Sequence, residues 1–275
     1  MKEHDKPADA LTPFEQALRD RVPSREALLA EAKAQSARQR QRKRTLGGGL
    51  SLLVLATAAW ILDPSWYSDD LHVAIGQRER LTLADGSQLV LDSHSHLRIE
   101  HRLRSRQFEL VQGEATFTVA HGAQPFIVRS QGVAVRDIGT VFNVRSDSRG
   151  VAVAVVEGEV EVSSAAFAAQ RLNGGQQVLA RAAVAGPVTP VDPARITAWQ
   201  QGKLRFDGTP LRDVIVDLQR YRQAPIHLLD SRVGNLRLSG EFDSDAVEPL
   251  LDLLPSILPV SLARAADGSV AIGAR

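Results

Sequence analysis

Residues 156–162 read VEGEVEV, so that valine or glycine alternates with glutamate. Successive side chains of a β-strand point to opposite faces of the sheet. The alternation therefore predicts a strand with one face packed on a core and the other in water, as in antiparallel sheets.

Similar short runs surround this strand from about residue 73 to residue 191. Runs 81–83 and 88–91 flank Asp85-Gly86, which is a strong hairpin signal. Asn173-Gly174-Gly175 predicts another tight turn. Further strands are predicted at 108–111, 115–119, 126–128, 133–135, 141–144 and 151–156. The pattern predicts an all-β domain over 73–192, and a sandwich, a barrel and a β-solenoid all fit it.

Residues 196–275 alternate strand and helix signals in the order βαβ, then βαββ. Two apolar stripes predict the helices, and they consist of Leu211, Val214, Ile215 and Leu218, and of Val247, Leu250, Leu251 and Leu254. Two helices on one face of a small sheet would complete this second domain. The overall fold class is thus α+β with one transmembrane helix.

The transmembrane helix is predicted at 46–62, which reads LGGGLSLLVLATAAWIL and would span roughly 26 Å as a helix. Basic residues crowd 38–44 before it, and acidic residues lie at 63–70 after it. The positive-inside rule then places the amino terminus in the cytoplasm. Residues 63–72 would be a linker. A buried core helix, a cleaved signal peptide and a nucleic-acid-binding basic run are the alternatives.

The first 45 residues form a short tail with two predicted helices. Phe14 and Leu18 recur at one-face spacing after Thr12-Pro13, and Leu28 and Leu29 follow a Ser24 cap. Such a segment can hardly fold alone and suggests ordering on a partner through these four residues. A helix lying on the membrane is the alternative.

Composition and motifs argue against catalysis. The chain has a net charge of +1, no cysteine and 5% aromatic residues, which gives no global pull toward nucleic acid and no thiolate chemistry. No nucleophile elbow, zincin helix, dinucleotide fingerprint or phosphate loop occurs. His94 and His96, with His101 beyond, are the only metal-like clustering, and a solvated strand face explains them. The prediction is no enzyme, no cofactor and no metal ligand.

The order of these segments resembles the FecR family of anti-sigma regulators. The residues that carry the resemblance are 83–87 (LADGS), 110–115 (LVQGEA), 125–126 (PF), 138–144 (IGTVFNV), 156–158 (VEG), Trp199, 204–206 (LRF), 209–211 (TPL), Tyr221 and 236–240 (LRLSG). Together they cover roughly residues 73–275. One departure is the tail, because the family's cytoplasmic domain is longer and contains several tryptophans, whereas none precedes Trp60 here.

The resemblance implies an all-β FecR domain followed by a domain similar to the STN domains of secretins and TonB-dependent receptors. It further implies a bacterial inner-membrane protein with periplasmic carboxy-terminal domains. Its partners would be an extracytoplasmic-function (ECF) sigma factor, the signalling domain of a TonB-dependent outer-membrane receptor and an intramembrane protease. The receptor would take up ferric siderophores or haem. No direct nucleic-acid contact is expected.

Docking of the receptor is expected on the STN-like domain, because a small sheet leaves strand edges for another chain to pair with. Ile226, Leu236 and Leu238 are the candidate contact residues. Two other hypotheses remain: a periplasmic adaptor or envelope-structural protein without a sigma-factor partner, and a metal-binding or hydrolytic enzyme that uses His94 and His96.

Overall fold

The computed structural model describes residues 26, 29, 30, 33 and 34 and the continuous stretch 53–275. The chain divides into two compact units, Met1–Leu62 and Asp63–Arg275. In the first unit the described residues between 26 and 34 are helical, and so are residues 53–62. Residues 46–52 of the predicted span lie outside the described residues. Among the described residues, no helix combines the length and the apolar character that a membrane crossing needs.

The second unit begins with a single 14-stranded sheet that curls on itself. Its strands are β1 (Tyr67–His72), β2 (Glu79–Thr82), β3 (Gln88–Leu91), β4 (His96–His101), β5 (Arg106–Thr118), β6 (Phe126–Ser130), β7 (Val133–Asp137), β8 (Val141–Asp147), β9 (Gly150–Glu157), β10 (Glu159–Ser164), β11 (Gln170–Asn173), β12 (Gln176–Arg181), β13 (Val184–Ala185) and β14 (Thr189–Pro190). The prediction of an all-β part is confirmed. Residues 67–72, expected in a linker, instead form β1, which pairs with β4.

Strand β5 joins the two halves of this sheet. Its first half pairs with β4 and β6, and its second half pairs with β3 and β8. Gly113 marks the junction with a φ of +93°, and a Cβ there would lie 2.5 Å from the Cα of Ser95. The sequence predicted two strands here, but the glycine lets a single strand bend and serve both halves. Phe108, Phe117, Phe126 and Phe142 are buried in the core that the two halves enclose.

Gly158 divides the stretch 156–162 into the end of β9 and the start of β10. The buried valines before it are Val151, Val153 and Val155, whereas those after it are Val160 and Val162. The alternation therefore changes phase at Gly158, whose φ is +83°. Val156, predicted on the dry face, is only half-buried for this reason. The prediction for residues 159–162 is confirmed.

The remaining residues form a smaller αβ part. Its elements are α1 (Pro193–Thr197), a 3-10 turn (Ala198–Gln201), β15 (Lys203–Pro210), α2 (Leu211–Gln219), β16 (Ile226–Leu228), a 3-10 turn (Val233–Asn235), β17 (Arg237–Asp243), α3 (Val247–Ile257), β18 (Val260–Arg264) and β19 (Val270–Ala274). The βαβ-βαββ order is confirmed, and so are both apolar stripes, which are buried.

The strands of this αβ part do not form the single small sheet that the sequence predicted. Strands β15 and β17 make one antiparallel pair, and β16, β19 and β18 make a separate sheet of three. Both sheets contribute to one apolar cluster with α2 and α3. The helices therefore hold two short sheets together through side-chain packing instead of covering one face of a continuous sheet.

Candidate functional site

The predicted sigma-factor contacts lie in the first unit. Phe14, Leu18 and Leu28 lie outside the described residues. Leu29 lies in a helical segment with 54% of its surface exposed. An exposed leucine is available to a partner, but the role of all four residues in binding stays a prediction.

The predicted receptor contacts lie in the core of the αβ part. Ile226 in β16 and Leu238 in β17 are buried in the apolar cluster, and Leu236, which ends a 3-10 turn, packs against it. Their side chains stabilise the fold, so a docking partner would meet the neighbouring strand edges and exposed side chains first. Leu229, directly after β16, is 70% exposed and offers such an apolar contact.

A buried charge network links the αβ part to the curled sheet. Arg220, directly after α2, donates from Nη2 to Asp92 at 2.8 Å and from Nη1 to Glu114. The Asp92 side chain is fully buried, and those of Glu114 and Arg220 are only 7% and 10% exposed. Tyr221 also donates its hydroxyl to Asp92. Two carboxylates of the sheet thus share one guanidinium of the αβ part.

Polar side chains of the sheet extend this network. The Asn143 amide donates to Glu114 at 2.7 Å and accepts from Thr116 at 2.8 Å. The Gln200 amide, from the 3-10 turn after α1, donates to Thr116 at 2.9 Å. Hydrogen bonds of this kind compensate buried polar groups for the water they lose.

A second ion-pair cluster holds α2 against β8 and β9. Arg149 lies 2.6 Å from Asp217 and pairs also with Asp147, while Arg145 bridges the same two carboxylates at 3.4 and 3.3 Å. These side chains are between 10% and 27% exposed. Both clusters join the two parts of the second unit through charge-assisted bonds, which are stronger than neutral ones.

The pKa directions follow from burial and from these partners. Burial raises the pKa of Asp92 above its ordinary value, although the Arg220 guanidinium opposes the shift. Burial alone would lower the pKa of Arg220, but Glu114 and Asp92 raise it well above its ordinary value. Burial alone would raise the pKa of Asp217, but Arg145 and Arg149 hold it below its usual range. Arg220 therefore stays charged and is the group that both carboxylates depend on.

A cleft of about 720 Å³ opens between the sheet and β15. Its lining holds eight Arg or Lys residues and four Asp or Glu residues. Arg181 and Arg195 are among the basic residues, and the indole N–H of Trp199 is buried there without a hydrogen-bond partner. Five of these basic residues form ion pairs with carboxylates, so the positive charge of the cleft is largely compensated: Arg145, Arg149, Lys203, Arg205 and Arg220.

The histidines do not lie as the sequence predicted. His94 occupies a turn between β3 and β4 with a φ of +56°, so it does not share a strand face with His96. Sequence reasoning also missed Arg220, Asp92 and Glu114. A charged residue directly after an apolar helical stripe was the only local signal, because the partners lie 106 and 128 positions away.

Comparison with known proteins adds to this geometry. Residues 69–161 match the family model described as FecR protein. Two crystal structures of a candidate anti-sigma factor from Parabacteroides distasonis ATCC 8503 are similar to the chain. The first is 27% identical with a TM-score of 0.67, and covers 76% of this chain and 100% of its own. The second is 28% identical with a TM-score of 0.66, and covers 74% of this chain and 98% of its own. No curated protein matches.

Proposed function

We propose that this chain, whose residues 69–161 match the FecR family model, is a single-pass inner-membrane regulator of the anti-sigma type. It relays a signal from an outer-membrane TonB-dependent receptor to an ECF sigma factor in the cytoplasm. The receptor takes up a ferric siderophore or haem, and an intramembrane protease links the signal on the two sides of the membrane. The chain acts by protein recognition and not by catalysis.

The observation that carries this proposal is the likeness to candidate anti-sigma factors over about three quarters of the chain. At that coverage the likeness extends beyond the matched residues 69–161. A regulatory sensor role follows from this likeness. The sigma factor, the receptor and the protease are the further steps of the proposal.

The membrane position is supported by the helical residues 53–62. Leu53, Leu55, Ile61 and Leu62 are each more than 60% exposed, as is Trp60. A helix that exposes apolar side chains all round suits a lipid surrounding. The basic run before this helix and the acidic residues after it support a cytoplasmic amino terminus and a periplasmic second unit.

The lack of tryptophan in residues 1–45 favours one second candidate. A periplasmic adaptor or envelope-structural protein with FecR and STN-like parts would need no sigma factor, and the tail lacks the tryptophans of the family's cytoplasmic domain. Capture of a sigma factor by residues 1–45 separates the two functions.

We expect the double change Phe14→Ala, Leu18→Ala to weaken sigma-factor capture about tenfold or more, because each truncated apolar anchor commonly costs about 1 kcal/mol or more. Binding of the full chain in detergent to the purified sigma factor measures this. The control is Gln16→Ala, Asp20→Ala, since in the predicted helix each position lies about 200° around the axis from Phe14 or Leu18. Equal capture by both double variants would show that the apolar stripe does not bind the sigma factor.

Substitutions of two exposed leucines can show which part of the second unit binds the receptor. Leu229 follows β16 in the αβ part, and Leu179 lies in β12 of the curled sheet with 41% exposure. Truncating the αβ part would remove the Arg220 guanidinium that Asp92 and Glu114 share, so point changes give the cleaner test. We expect Leu229→Ser to weaken binding of the receptor's signalling domain about fivefold or more, and Leu179→Ser to leave it unchanged. Isothermal titration with the full chain measures both, and the reverse pattern would assign docking to the curled sheet.

A further inference from the structure

The paired strands β1 and β4 bring two histidines and an aspartate together on one face. His72 lies directly opposite His96, and Asp70 lies opposite Arg98. Residues two apart along a strand share a face, so all four side chains project from the same side. Leu71 and Leu97, on the other side, pack in the core. The cluster of Asp70, His72 and His96 therefore lies on the solvent side of the sheet.

The donor atoms of this cluster are close enough to share one ion. Each residue offers one donor atom, and the three atoms all lie within 4.8 Å of one another. His96 Nε2 is 2.6 Å from Asp70 Oδ1, and the imidazoles of His72 and His96 are stacked with centroids 3.9 Å apart. Ligands of a tetrahedral zinc ion lie about 3.3 Å from one another, given metal–ligand distances of about 2.0–2.1 Å. Binding an ion requires the two stacked imidazoles to turn so that a ring nitrogen of each faces it.

The chemistry of the donors selects the ion. Two imidazoles and one carboxylate suit zinc, which binds nitrogen and oxygen ligands and takes three protein ligands plus water in open sites. Calcium and magnesium prefer oxygen ligands alone. No other set of three such side chains within the described part of the chain comes this close together.

Arg98 competes with a cation for Asp70, but it has a second carboxylate. Its Nε lies 3.3 Å from Asp70 Oδ1, while its Nη1 donates to Glu109 at 2.7 Å. When zinc binds Asp70, the guanidinium can keep Glu109. Arg98 thus lowers the affinity for zinc but does not prevent zinc from binding Asp70.

We propose that Asp70, His72 and His96 form a binding site for Zn²⁺ that links β1 to β4. The site is independent of the proposed regulatory function. Within the described residues, strand β1 pairs only with β4, so an ion bound by both strands holds the first strand of the second unit in its register. Water fills the remaining coordination position.

The same two strands supply a matched control. His101 Nε2 lies 2.8 Å from Asp69 Oδ2, and the His101 ring stacks on Tyr67 at 4.0 Å. This is also a histidine–aspartate pair across β1 and β4, but it has one imidazole. A pair of ligands binds zinc far more weakly than three, so changing His101 leaves the affinity unchanged.

The test is equilibrium dialysis of the full chain, purified in detergent without a histidine tag, against zinc chloride. We expect one zinc ion per chain. His96→Ala and Asp70→Asn weaken binding about tenfold or more, since removing a supporting group already has that effect. Arg98→Gln tightens binding, because the competing charge is gone. His101→Ala binds as the unchanged chain does.

Thermal unfolding followed by circular dichroism separates loss of the site from loss of the fold. Without zinc, all variants unfold near the temperature of the unchanged chain, because the altered side chains lie on the solvent side. Zinc raises the unfolding temperature of the unchanged chain and of His101→Ala, but not of His96→Ala. Absence of zinc binding, equal loss in His96→Ala and His101→Ala, or full binding by His96→Ala would each overturn the proposal.

Discussion

We expect Arg220→Met to lower the free energy of unfolding by about 3–5 kcal/mol, the range found when one partner of a buried ion pair is removed. The change keeps most of the aliphatic volume but leaves Asp92 and Glu114 buried without their shared guanidinium. Burial already raises the pKa of Asp92. Loss of Arg220 therefore forces these carboxyls to take up protons or to open the contact between the two parts of the second unit.

Urea unfolding of the full chain in detergent, followed by far-ultraviolet circular dichroism, measures this effect. The control is Arg205→Met, because Arg205 pairs with Glu241 at 2.6 Å with both side chains 43% exposed. Exposed pairs contribute about 1 kcal/mol or less. Adding Asp92→Asn and Glu114→Gln to Arg220→Met should restore part of the stability, since the unpaired charges are then gone. A loss no larger than that of Arg205→Met would contradict the role given to the network.

Gly158→Ala is the second large effect that we expect. A Cβ at this position would lie 2.2 Å from the carbonyl oxygen of Gly139, and the φ of +83° is strained for any L side chain. The left-handed backbone costs about 1–2 kcal/mol and the overpacking adds about 1–3 kcal/mol, so the total loss is about 2–5 kcal/mol. The strand crossing from β9 to β10 should be the first region to open.

Gly76→Ala separates these two contributions. Gly76 has a φ of +80°, and a Cβ there meets nothing within 4 Å. We expect it to lose only the backbone contribution, about 1–2 kcal/mol. The same urea titration compares the two variants. Equal losses would show that the close approach of Gly139 does not constrain Gly158.

Local patterns predicted much of the fold. Asp85-Gly86 forms the expected hairpin turn, with the Asp85 carboxylate accepting from the Ser87 N–H at 2.9 Å. The helical stripes also needed only the spacing of apolar residues. Strand β5 and the phase change at Gly158 were not predicted, because both depend on contacts with distant backbone that a glycine alone permits. The division of the αβ part into two sheets likewise depends on how the strands and both helices share one apolar cluster.

The functional residues were harder to predict than the fold. Arg220, Asp92 and Glu114 come from separate elements, and each looks like an ordinary surface charge in its own stretch of sequence. No local pattern gives His96 an acidic partner, since Asp70 lies 26 residues upstream and becomes its neighbour only when β1 pairs with β4. Cross-strand register, which no local pattern specifies, decides such sites.

The proposed topology is a single crossing of the inner membrane with the second unit in the periplasm. Its most direct test is a pair of reporter fusions to Arg275 of the full chain, one with alkaline phosphatase and one with green fluorescent protein. Phosphatase folds only outside the cytoplasm, and the fluorescent protein exported in unfolded form stays dark. We predict high phosphatase activity and no fluorescence. A fluorescent fusion with an inactive phosphatase would place the second unit in the cytoplasm and contradict this topology.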